Sequence, residues 1–195
     1  MLDLIQEIQR CLKGRVCLVG VGNVSAGDDG FGVRLAEALL SLSDTAPDAA
    51  AELDHSGAWS FHYGLERLVL VAGMSPERFV GRLVDAGFEH VIFLDAVECG
   101  AAPGAVVFLD AKQMAARFPQ VSTHKFSLGL LARCIEANGR TKAWLLGVEP
   151  ESVKPGARLS AAVQETVKLL TGILAPAGIG IAPAGWIEPR ARGIA

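Results

Sequence analysis

The stretch "GVGNVSAGDDGFGVR", Gly20 to Arg34, sets two adjacent carboxylates, Asp28 and Asp29, at the end of a glycine-framed loop. Its opening Gly20-x-Gly22 has the form of a dinucleotide loop, in which helix N-terminal N–H groups face a pyrophosphate. The fingerprint fails at its third glycine, where Ser25 stands. Two carboxylates at the helix start would also occupy the favourable field and repel another anion. A carboxylate in that place suits a cation. Asp95, closing the apolar run "VIFLD", and His124, in "VSTHKF", are further residues of ligand type. Two carboxylates and an imidazole with open positions suit a borderline divalent transition metal such as nickel or zinc. Asp28 reads most simply as a helix cap, an ordinary place for Asp, which leaves Asp29 for the crevice. Asn23, beside the glycine turn at Gly22, either donates to a peptide carbonyl or closes an Asx turn, and the turn is the simpler reading.

These residues meet only if the fold brings them together. "RVCLVG" is a short apolar run ending in glycine, a buried strand. The helix after it carries Phe31, Leu35, Ala38, Leu39 and Leu42 at helical spacing. "LERLVLVAG", "HVIFLDAV", "GAVVFLD" and "KAWLLGV" supply four more strands. Between them, Pro76 opens a helix with Phe79, Val80, Leu83 and Val84, and Thr123 caps one with Phe126, Leu130, Leu131, Cys134 and Ile135 inward. A last helix spans 159–170, and residues 44–64 form a long connection with room for a short strand. Apolar strands alternating with amphipathic helices predict a three-layer α/β fold: a twisted, mostly parallel five-stranded sheet with helices on both faces. "VVFLD" is the candidate antiparallel edge strand. In such a sheet functional groups gather outside the carboxyl ends of the strands. Asp29, Asp95 and the start of the helix after His124 all belong to that edge.

The length suits one domain, read as 1–172, followed by a Gly/Pro-rich tail, 173–195. A net charge of -3 with no basic block argues against nucleic acid. The longest apolar stretch, "TGILAPAGIGIAPAGWI", is broken by Gly and Pro, so no membrane span is expected. The N-terminal segment carries Asp3 and Glu7 and reads as an amphipathic helix, not a leader. Together with four scattered cysteines, Cys11, Cys17, Cys99 and Cys134, this predicts a cytoplasmic protein with free thiols, most of them in the core; a monomer is expected.

At this point the residues resemble a family. "VGVGNVSAGDDGFGVRLAEAL", "VIFLDAV", "STHKFSLGLLARC" and "LLGVEPESVKPGARLSAAVQETV" are similar, in order, to the hydrogenase maturation proteases. These endopeptidases trim the C-terminus of nickel-iron hydrogenase large subunits. The resemblance covers most of residues 15–170. It implies a single α/β domain whose acidic ligands fall on Asp29 and Asp95 and whose histidine falls on His124. It also implies a large-subunit precursor as partner and nickel, brought by that precursor, as the ion sensed, with zinc or another divalent metal acceptable in vitro. The chain departs from the family pattern after the second strand, where Val71 and Ala72 stand in place of an acidic residue. Asp54 is its displaced equivalent if "SFHYGLERLVLVAG" is an insertion. His55 and His62 in that segment are read as surface residues rather than ligands.

Two versions of a metal-dependent endopeptidase follow from the resemblance. In one, the ion lowers the pKa of a bound water and polarises the scissile carbonyl. In the other, the substrate's nickel docks and the residues position the bond. Cys99 is a structural thiol on the simpler reading, and Ser122 lacks an identifiable base with an orienting group, so a serine or cysteine protease is not expected. The alternative to an enzyme is a non-catalytic nickel- or precursor-binding module on the same fold.

Overall fold

The computed structural model describes residues 2–42, 61–63, 67–118 and 127–175. Its frame is a six-stranded sheet in the order β2-β3-β1-β4-β6-β5. The strands are β1 (Val16–Val21), β2 (Phe61–Tyr63), β3 (Arg67–Gly73), β4 (His90–Ala96), β5 (Val106–Asp110) and β6 (Lys142–Val148). The central four, β3, β1, β4 and β6, are parallel, and β2 and β5 close the two edges antiparallel. All five expected strands are present. The sixth, β2, is a three-residue edge strand inside the segment that had room for one.

"VVFLD" pairs with β6 rather than turning back on β4. Both edges of β4 are already taken by β1 and β6, so the open edge of β6 is the one available.

The alternation of side chains along the strands divides the core in two. Along β1, Val16 and Leu18 enter one cluster while Cys17, Val19 and Val21 enter the other. On the first face α1 (Leu2–Cys11), α2 (Phe31–Ser41) and α6 (Ala161–Leu174) cover the sheet. On the second lie α3 (Val80–Asp85), α4 (Ala111–Arg117) and α5 (Leu128–Glu136). Strands buried on both faces have no polar alternation to display, which is why they read as continuous apolar runs.

Several helical expectations are corrected in detail. Pro76 opens a 3-10 turn, Pro76–Phe79, and the α-helix proper starts only at Val80. A short helix, α4, was not expected. It is fixed by a reciprocal capping box in which Asp110 accepts from the Gln113 N–H and Gln113 accepts from the Asp110 N–H. The cap of α5 is Ser127, accepting from Leu130 N–H at 3.3 Å, and Thr123 lies outside the described residues. The buried face of α5 is Leu128, Gly129, Leu131, Ala132 and Ile135, so Leu130 and Cys134 are exposed. Gly129 explains this phase: a Cβ there would sit 3.2 Å from the Ala115 backbone, so the small-residue face is the one that meets α4. Leu42, read as inward on α2, is also exposed. Of the four thiols, all free, only Cys11 and Cys17 are buried, which corrects the expectation that most are core. No described helix is long and apolar enough to cross a membrane.

Candidate active site

The carboxyl edge of the sheet is built around α2, whose first turn is held in backbone contact with two strands at once. A Cβ on Gly32 would overlap the Leu94 carbonyl oxygen of β4 and lie 2.5 Å from that of Val21 in β1. A Cβ on Gly20 would lie 2.6 Å from the Gly32 carbonyl oxygen. These two glycines therefore let helix and sheet touch without side chains between them. Gly22 has a different role. Its φ of +126° turns the chain sharply out of β1, and a Cβ there would overlap the carbonyl oxygen of Asp29. The loop folds back so tightly that Gly22 and Asp29, seven positions apart, are in backbone contact.

Within that loop Asn23 closes the Asx turn, its Oδ1 accepting from Ser25 N–H at 2.9 Å. The Asn23 N–H donates to Asp29 Oδ2 at 2.9 Å. Asp29 is 6% exposed and sits in the 3-10 turn Gly27–Gly30 that leads into α2. Asp95, also 6% exposed, lies near the carboxyl end of β4, the strand beside β1, and its Oδ1 accepts from Ala96 N–H at 2.9 Å. Both carboxylates are thus delivered to one edge by adjacent parallel strands, and each is oriented by a backbone N–H.

Asp28 has another role from the one its sequence setting suggests. It is fully buried and makes no helix cap. Its Oδ1 accepts from Ser160 N–H at 2.6 Å, and its Oδ2 from Glu151 and Ser152 N–H at 2.8 and 3.2 Å. The segment that follows β6 is thereby tied onto the first loop. The loop's own amides are used inward too: Gly27 N–H donates to Ala157 O, Asp28 N–H to Ser152 O and Asp29 N–H to Ala26 O. A phosphate would find those donors already engaged, which adds to the charge argument against a nucleotide.

Glu149, the first residue beyond β6, was not singled out from the sequence. It is buried, and its Oε2 accepts from the N–H groups of Cys99 and Ala101 at 2.7 and 3.1 Å. The Cys99 thiol and these amides hold its carboxyl below the ordinary glutamate value, against the burial that pushes it up. Burial, reinforced by Glu149, raises the Cys99 thiol, which disfavours the thiolate that a nucleophile needs. The signal that could have found Glu149 is the one that found Asp95: an acid at the carboxyl end of a buried strand. A cleft of about 510 Å³ is lined by Glu98, Gly100 and the segment from Glu149 to Lys154.

The end of β3 contributes no ligand from its last residues, where Val71 and Ala72 are buried in the two cores. In the 3-10 turn after it, Glu77 Oε2 is buried with no hydrogen-bond partner among the described residues. His124, Asp54, His55 and Ser122 lie outside the described residues, and of His62 only its place in β2 is described. Among the described residues no three His, Cys, Asp or Glu side chains cluster closely enough to hold a metal. The structure brings Asp29 and Asp95 to the same edge as a pair.

Comparison with known proteins gives this edge its context. The hydrogenase maturation protease family model matches residues 61–177. The hydrogenase 2 maturation protease of Escherichia coli is 28% identical over 158 residues, covering 79% of this chain and 84% of that one. The crystal structure of a NiFe hydrogenase maturation protease from Thermococcus kodakarensis superposes with a TM-score of 0.66 at 25% identity, covering 87% of this chain and 99% of that chain. A hydrogenase-maturating endopeptidase from E. coli shares the fold, with a TM-score of 0.61 at 24% identity over 81% of this chain and 88% of that one.

Proposed function

The chain belongs to the hydrogenase maturation protease family, and from that premise we propose that it removes a C-terminal peptide from the large-subunit precursor of a nickel-iron hydrogenase once nickel is in place. Endopeptidase action in hydrogenase maturation is the family's activity. The reading goes further in assigning the site to Asp29, Asp95 and His124 and the trigger to nickel carried by the precursor. The observation that carries it is the pair of buried carboxylates delivered to one edge by β1 and β4.

The donor chemistry fits a divalent cation: two carboxylates, with an imidazole as the expected third ligand. When bound, the ion would polarise the scissile carbonyl and acidify a water. The work of this chain's own residues is orientation. Asn23 N–H donates to the Asp29 carboxylate and Ala96 N–H to that of Asp95, so each carboxylate is oriented by the backbone before substrate arrives. Glycine contacts between α2, β1 and β4 set the spacing of the two loops without intervening flexible side chains. The cleft between Glu98 and Lys154 offers an extended peptide a place beside the edge.

A second reading, a binding module without cleavage, draws on the apolar end of β3 at Val71 and Ala72. Presenting nickel-loaded precursor to the wild type and to Asp29→Ala and Asp95→Ala separates the two. The enzyme reading expects loss of the C-terminal peptide with wild type only. Tight precursor binding with no cleavage by wild type, under conditions where a cognate protease cleaves, supports the module instead.

A further inference from the structure

We infer that Asp28 and Glu149 act together as a clamp that fastens the segment 149–160 across the two loops carrying Asp29 and Asp95, and so fixes those loops relative to one another. The inference rests on the assignment of Asp29 and Asp95 to the site. Its basis is the direction of the bonds. From the first loop, Asp28 reaches into the segment and takes the N–H groups of Glu151, Ser152 and Ser160. From the segment, Glu149 reaches the opposite way and takes those of Cys99 and Ala101, in the loop that leaves Asp95. Backbone bonds lie alongside at both ends: Gly156 N–H donates to Ser25 O at 2.7 Å, and Val97 N–H to Val148 O at 2.9 Å.

Both carboxylates are buried, and the ion pair found among the described residues, Arg34 with Glu37, involves neither. A buried charge held by amide dipoles is costly to desolvate and tolerates little displacement of its donors. It therefore makes a stiff link, and two such links in series couple one acidic loop to the other. Asp28 and Glu149 are positioning residues, acting on the reaction through Asp29 and Asp95.

Glu136 supplies a control of the same chemistry away from the site. Its Oε1 accepts from Ala143 N–H at 3.0 Å, at the amino end of β6. Asp28→Asn, Glu149→Gln, their double variant and Glu136→Gln are compared in the full chain by thermal unfolding, by kcat and KM on nickel-loaded precursor, and by amide hydrogen exchange. The clamp predicts a kcat lower by about 10-fold or more in each single clamp variant, with KM within about 3-fold. It predicts a double variant well short of the product of the two effects. Glu136→Gln loses stability and keeps wild-type kcat.

The decisive coupling is remote: Asp28→Asn accelerates exchange of the Cys99 and Ala101 amides, which Asp28 does not touch. Unchanged protection of those two amides, or wild-type kcat in both single variants, overturns the clamp. If wild type fails to cleave the precursor, the functional assignment fails, while the exchange measurement still decides the clamp.

Discussion

Gly32→Ala adds a single methyl group where α2 meets the sheet. That Cβ would overlap the Leu94 carbonyl oxygen and lie 2.5 Å from the Val21 carbonyl oxygen, where ordinary contact begins at 3.4 Å. Both obstacles are backbone atoms of central strands, so the helix must withdraw by about 1 Å rather than a side chain rotate aside. Overpacking of this kind costs about 1–3 kcal/mol, and Ala regains about 1 kcal/mol of helix propensity over Gly. The steric conflict falls at the upper end because neither oxygen can move alone, which leaves a net loss of about 2 kcal/mol, or a Tm lower by about 4–8 °C for a chain of this size. Asp29 lies three residues before the substitution and Asp95 one residue after Leu94, so the withdrawal separates the two carboxylates directly. A displacement of that size lowers cleavage by about 10²-fold. Gly172→Ala is the matched control, since nothing lies within 4 Å of its Cβ; it should stabilise by up to about 1 kcal/mol through propensity alone. Differential scanning calorimetry and precursor cleavage on both variants check the pair. Equal Tm and equal activity in the two would refute the claim that glycine contacts set the spacing of the site.

Asp29→Ala, Asp95→Ala and His124→Ala should each abolish processing while circular dichroism and a cooperative melt show a folded chain; full activity in any one removes that residue from the site. Glu149 has a folded pKa below its unfolded value, so it contributes stability that is present above the unfolded glutamate pKa, about 4.3, and is lost as pH falls through the lower folded value. Melting temperature against pH should therefore fall less steeply below about pH 4.3 in Glu149→Gln than in wild type, and parallel curves would contradict this. Arg34→Ala removes an exposed ion pair with Glu37 and should change stability by less than about 0.5 kcal/mol in urea titration.

Much of this architecture was legible locally. The five strands declared themselves as apolar runs because each is buried on both faces, and Asp29 and Asp95 were found because parallel strands deliver whatever follows them to one edge. What escaped depends on partners far along the chain. Asp28 has the sequence setting of a helix cap, an acid just before an amphipathic run, but it caps neither helix; its actual partners are the amides of Glu151, Ser152 and Ser160, more than 120 positions away. Glu149 is bonded to amides near position 100, and nothing in "LLGVEPES" announces that. The inward face of α5 was misread at Leu130 and Cys134 because helical spacing alone does not tell that α4 approaches closely enough to select the small residues Gly129 and Ala132. Helix α4 is too short for periodicity to reveal, and its capping box was the available signal.

The central claim is that this chain cleaves its precursor only after recognising nickel through the carboxylate-bearing edge. Its most direct test is mass spectrometry of one precursor preparation, split into nickel-loaded and nickel-free halves and incubated with the wild-type chain. The account predicts loss of a single C-terminal peptide from the loaded half and an intact nickel-free half. Equal cleavage of the two halves would contradict it.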